Sequence, residues 1–196
     1  MMNISDVLTA FKSLREEGTI VIPGRGGRHW VKMVDETGLD VPLGDPAMGG
    51  HAGFGLGVAI AQPDRKVVLF DSEGDILMSL GMLATIAEQK PENFYHFLLD
   101  NEVYATTGGQ PVPGAKVVDY AAVARDVGYP RVASYTELDD LVHDLPDILG
   151  KPGPVFIALK VYPEVQNEAI GKRRPWQTRD RVKVVDDLRK AVTGGK

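Results

Sequence analysis

Two apolar runs, residues 67–70 and 94–99, flank a stretch of helical pattern at 77–88. Strand, helix-length crossover and strand is the pattern of two parallel neighbours in one sheet. Each run ends in a polar turn, Ser72-Glu73-Gly74-Asp75 after the first and Asp100-Asn101 after the second. In a parallel α/β sheet both turns lie at carboxyl ends of strands, where ligands bind. A carboxylate on one turn and an amide oxygen on the next suit a hard cation such as Mg²⁺ or Ca²⁺. A helix starting at the first turn aims N–H groups at an anion. Together these features describe a diphosphate site. The plainer reading is that Glu73 and Asp75 only cap a helix, because acids are favoured there.

The same alternation runs through the chain. Residues 4–17 have apolar positions at helical spacing, with Asn3 or Ser5 available as a cap. A short strand is expected at 19–22, a helix at 28–37 and a loop at 42–50. The segment 50–61, GHAGFGLGVAIA, reads as a helix packed very closely, because its glycines weaken intrinsic helicity without a packing or ligand reason. Its GFGLGV string lacks the preceding strand that a dinucleotide fingerprint needs. Helices are expected at 118–127 and at 137–149 (capped by Thr136), and strands at 131–134 and 154–161. Beyond residue 163 the chain turns polar and ends in an amphipathic helix at 181–192. The pattern predicts a three-layer α/β/α domain with a mostly parallel central sheet. A single domain over 1–196 is expected, with a polar extension from about 163.

Composition narrows the function classes. With 196 residues and 43% hydrophobic content the chain can bury a sizeable core. A formal charge of −5 gives no reason to expect nucleic acid, and the Lys172-Arg173-Arg174 cluster is short enough to be a solvated face. The absence of cysteine excludes disulfides, zinc-thiolate sites and iron–sulfur clusters on this chain. No segment has the length of a membrane span, and the acid-bearing start lacks a signal-peptide core. A soluble, cytoplasmic protein is the expectation.

The central segment resembles the diphosphate-binding domain of thiamine-diphosphate enzymes, above all the phosphonopyruvate and sulfopyruvate decarboxylases. The strings ILMSLG (76–81), LATI (83–86), LLDNEVY (98–104) and TTGGQP (106–111) carry the resemblance. It implies that Ser72-Glu73-Gly74 stands where the family has Gly-Asp-Gly, with Glu73, Asn101 and the Val103 carbonyl as Mg²⁺ ligands. Glu adds a methylene to the usual Asp, and Asp75 is an alternative or additional ligand. Ser72, Gly74, Asp75, Tyr104 and Thr106 would lie around the thiamine diphosphate. Met48, beside Gly49, would wedge between the cofactor's two rings. His51 could donate to a phosphate or act on a bound acid, or be structural. Arg25, Arg28 and His29 could hold an anionic substrate group, since Arg suits phosphonate, sulfonate and carboxylate, or be ordinary surface charge.

The resemblance further implies a lyase that decarboxylates a small 2-oxo acid. The glutamate that activates the cofactor belongs to a separate pyrimidine-binding domain, so no catalytic group beyond His51 is expected here. A pyrimidine-binding partner subunit and an α2β2 heterotetramer follow, with the 50–61 helix as part of the interface. Alternatives are an acetolactate-synthase-like carboligase subunit and a degenerate, regulatory subunit.

Overall fold

The computed structural model describes residues 1–44, 48–172 and 175–194. Part of the expected loop at 42–50 and two members of the basic cluster, Arg173 and Arg174, lie outside the described residues. The chain opens with α1 (Ile4–Leu14), β1 (Ile20–Pro23) and the single turn α2 (Trp30–Met33), followed by α3 (His51–Ala61) and β2 (Val67–Ser72). Then come α4 (Glu73–Met78), α5 (Gly81–Gln89) and β3 (Phe94–Asp100). A small antiparallel pair, β4 (Val103–Tyr104) and β5 (Gln110–Pro111), follows. After α6 (Tyr120–Asp126), β6 (Arg131–Tyr135), α7 (Leu138–Gly150) and β7 (Val155–Lys160), the chain closes with α8 (Arg181–Thr193).

Five strands form one parallel sheet in the order β1-β2-β3-β7-β6. Alternate side chains of the apolar runs go to opposite faces, and both faces are covered. Val67, Leu69, Phe94 and Leu98 pack with Leu56 of α3, Leu83 of α5, Ala124 of α6 and Leu188 of α8. Val68, Phe70, Phe97 and Leu99 pack with Leu8 of α1, Trp30 of α2 and Leu145 of α7. This is a three-layer α/β/α sandwich. Strands buried on two sides read as unbroken apolar runs, which is why they stood out in the sequence.

Several element boundaries differ from the sequence reading, each for a tertiary reason. The helix expected at 28–37 is only the turn Trp30–Met33. Beyond it Thr37 donates through its backbone N–H to the buried Asp40 carboxylate (2.9 Å). Asp40 also accepts from Trp30 Nε1 (2.7 Å) and pairs with Arg15 (2.9 Å). That last contact also draws Arg15 out of α1, which therefore stops at Leu14 and not at residue 17. The helix expected at 77–88 is split, because Ser79 leaves helical geometry and donates its hydroxyl to the Gly49 carbonyl (2.6 Å). The cap of α7 is Glu137, without a side-chain bond, and not Thr136. Helix α6 starts at Tyr120 because Asp119 caps it, accepting from the Ala122 N–H (2.9 Å).

The close packing expected of α3 rests on one glycine. A Cβ at Gly55 would meet the buried Phe94 ring at 2.8 and 3.1 Å, whereas one at Gly57 would meet nothing within 4 Å. We expect Gly55→Ala to cost ~1–3 kcal/mol in urea denaturation of the full chain, as overpacking does. Gly57→Ala should gain ~0.5–1 kcal/mol through helix propensity. Equal effects at the two sites would contradict this packing.

Candidate functional site

Parallel pairing of β2 with β3 sets Ser72 opposite Leu99, so the two polar turns leave the sheet side by side. The chain turns at once into α4, with Ser72 as cap accepting from the Asp75 N–H (3.3 Å). A cap at Ser72 places Glu73 first in the helix and buries it, with 1% of its surface exposed. Neither carboxylate oxygen has a hydrogen-bond partner among the described residues. Burial, reinforced by the Asp100 charge, pushes Glu73 up to about 8. The backbone N–H groups of Glu73 and Asn101 and the Lys160 ammonium offset this in part.

The second turn is organised by its own polar groups. Asp100 is taken by Lys160 Nζ (2.9 Å), which also pairs with Glu102 (2.8 Å). Glu102 stands at φ 67°, a left-handed conformation that costs a non-glycine residue energy. The buried Asn101 accepts the Val103 N–H at Oδ1 (3.0 Å). Val103 faces Pro111 across the β4–β5 ladder, and the Val112 N–H donates to the Glu102 carbonyl. By the alternation of an antiparallel ladder, the Val103 carbonyl then points away from β5. A buried carboxylate, an amide oxygen and a backbone carbonyl on two turns at the same sheet edge are donor types that suit a hard divalent cation. The orphaned Glu73 oxygens fit such an ion, which would supply the charge compensation they lack.

A cleft of roughly 310 Å³ opens over these turns, large enough for part of a cofactor. Of the residues singled out in the sequence, Met48, Ser72, Gly74, Asp75, Asn101, Val103, Tyr104 and Thr106 line it, with Arg25 and Arg28 on one wall. Glu73 lies beneath it, and Gly49 and His51 are off its lining. The His51 ring is 2% exposed, with Nδ1 3.7 Å from the Asp75 carboxylate. Arg28 is held by Glu164, whose carboxylate also accepts from His29 Nε2 (2.6 Å).

Met48 stands 65% exposed at the cleft mouth. The adjoining Gly49 has φ +76°, and a Cβ there would lie 2.8 Å from Ser79 Oγ, so only glycine fits. Unforeseen on the lining are Gly26 and Met78. Unforeseen behind it is a buried pair, Asp71 Oδ2 with His96 Nε2 (3.1 Å). A lone acid and a lone histidine inside two apolar runs were the signal for that pair.

The chain belongs to the family described as thiamine pyrophosphate enzyme, C-terminal TPP binding domain, which it matches over residues 30–159. Among curated relatives, it is 38% identical over 149 residues to a phosphonopyruvate decarboxylase from Streptomyces viridochromogenes. That match covers 76% of this chain and 36% of the relative. It is 44% identical over 117 residues to a sulfopyruvate decarboxylase subunit beta from Methanothermobacter thermautotrophicus, covering 60% of each. The chain thus spans little over a third of the first relative and three fifths of the second. In fold it is similar to a benzoylformate decarboxylase from Polynucleobacter necessarius, with TM-score 0.57, 18% identity, and coverage of 82% of this chain and 33% of that one. Among the described residues no helix is long and apolar enough to cross a membrane.

The Glu73 environment gives a signed pH dependence. In the unfolded chain the group ionises near 4.5, in the metal-free folded chain near 8. Between those values the folded state holds one more proton, so stability falls as pH rises through that window. Urea midpoints of the chelator-treated chain should drop from pH 5 to pH 8, and Glu73→Gln should flatten that portion of the curve. An unchanged slope in the variant would contradict the assignment.

Proposed function

We propose that this chain is the diphosphate-binding subunit of a thiamine-diphosphate-dependent 2-oxo acid decarboxylase, of the phosphonopyruvate or sulfopyruvate type, and that Mg²⁺ serves the site. The observation that carries this reading is the orphaned, buried Glu73 carboxylate, set in the chain between the cleft-lining Ser72 and Gly74. Glu73, Asn101 and the Val103 carbonyl would hold the ion. Asp keeps the charge in the usual motif, and Glu73 keeps it here with one extra methylene. When bound, the cofactor supplies the electron sink for loss of CO₂.

The chain's own groups would bind, orient and exclude water. The backbone N–H groups of the first turn of α4, around Gly74, would meet the diphosphate. Helix α4 is too short to act as a dipole of any size, so individual N–H groups matter more than the helix axis. Met48, exposed at the mouth, would support the cofactor rings from one side. Arg25 and Arg28 would face the acidic end of the substrate, in which case Arg28 exchanges Glu164 for the substrate's anion.

The match to a relative named subunit beta supports the need for a partner. The partner would be a pyrimidine-binding subunit covering the exposed apolar side chains Met48, Met78, Leu80 and Ile60 around and beside the mouth. An α2β2 assembly in the cytoplasm is the form we propose.

Co-purified with a pyrimidine-domain subunit, the chain should release CO₂ from phosphonopyruvate or sulfopyruvate faster than from pyruvate, given Mg²⁺ and thiamine diphosphate. Glu73→Ala and Asn101→Ala should each lower kcat/KM by more than ~100-fold, beyond what loss of an outer-shell contact costs. Activity of the Glu73→Ala complex near that of the parent would sink the proposal.

A further inference from the structure

The turn after β2 buries more negative charge than the cleft floor uses. Asp71 is 1% exposed and Asp75 12% exposed on its side chain, and Lys160, the nearest ammonium named at the turns, is occupied by Asp100 and Glu102. Facing the two acids are His51 from the start of α3, His96 from β3, the Ser72 hydroxyl and the Gly49 N–H. His96 is committed to Asp71. His51 is not committed: its Nδ1 lies 3.7 Å from Asp75 Oδ2, too far for a hydrogen bond, and neither ring nitrogen has a hydrogen-bond partner among the described residues. A histidine almost wholly buried with both nitrogens unmet is costly.

One donor atom each from His51, Asp71 and Asp75 lie within 4.8 Å of one another. We propose that these three residues form a second divalent-cation site, separate from the Glu73–Asn101 floor, for a borderline first-row ion of the Zn²⁺ or Mn²⁺ class. An imidazole with two carboxylates is the donor set such ions select, whereas the all-oxygen floor suits Mg²⁺. Three donors at ~2.0–2.2 Å from one ion stand mutually ~3.3–3.8 Å apart, so closure needs movements of up to about 1 Å. His96 holds Asp71 from behind, the outer-shell arrangement that orients a ligating carboxylate.

Asp75 lines the cleft and so gives the ion an entry path. The same carboxylate accepts from the Gly49 N–H (3.4 Å), and Ser79 holds the Gly49 carbonyl. An ion bound there ties the start of α3, the end of β2 and α4 into one unit and fixes the Met48–Gly49 loop at the cleft mouth.

The test uses the full chain, chelator-treated, titrated with Co²⁺ alone and no cofactor, so that it is independent of the decarboxylase reading. One Co²⁺ per chain, with visible d–d absorption, should bind to the parent and to Glu73→Gln, and bind at least 100-fold more weakly to His51→Ala and Asp75→Asn. Zn²⁺ should raise the melting temperature of the parent and of Glu73→Gln but not of His51→Ala. No uptake by the parent overturns the proposal. Uptake abolished by Glu73→Gln and kept by His51→Ala overturns it equally. If His51→Ala does not fold, the anomalous Co²⁺ signal in crystals of the parent decides: a peak between His51, Asp71 and Asp75 supports the site, and a peak elsewhere overturns it.

Discussion

The pairing of β2 with β3 is the constraint on which the candidate site depends. Their register brings Ser72 level with Leu99, so that both chains leave the sheet at the same height. Strands in a sheet lie ~4.8 Å apart, so the turns that follow them leave the same edge as neighbours. Nothing in either turn alone would gather a carboxylate, an amide oxygen and a bare carbonyl. The two-sided core behind them, with Phe70 and Phe97 stacked on one face and Leu69 and Phe94 on the other, holds that register. A slip of one residue would send each of these side chains to the wrong layer.

The edge so formed carries stored electrostatic cost. Glu73 is held with both oxygens unmet, Asp75 is raised by burial and by Asp71 beside it, and His51 sits unsatisfied next to them. Buried Asp40, by contrast, is met by Trp30, Arg15 and Thr37 together. Unmet ionisable groups beside a cleft, Glu73 and His51, are a mark of ligand-dependent sites. Glu102, in its strained conformation at the second turn, belongs to the same pattern.

The core strands were legible because burial on both faces leaves a strand no polar positions to blur it. The cleft residues around the two turns were legible because they are local in sequence, within 72–106, and follow directly from strand ends. What escaped depends on partners distant in the chain. Helix α2 is short because Thr37 and Asp40 are engaged at the edge where Arg179, far along the chain, donates to the Asp40 carbonyl. The break at Ser79 exists because Gly49 accepts its hydroxyl. His51 looked like a cleft residue from its neighbours Met48 and Gly49, but the first turn of α3 rotates its ring inward, toward acids on β2 and α4. No periodicity encodes such a meeting.

The most direct test is a crystal structure of the chain with the pyrimidine-binding subunit proposed for it, grown with Mn²⁺ and thiamine diphosphate and measured at the manganese edge. The account predicts an anomalous peak coordinated by a Glu73 carboxylate oxygen, Asn101 Oδ1 and the Val103 carbonyl, in contact with the diphosphate. A cofactor bound in this cleft with no metal touching Glu73 or Asn101 would contradict it.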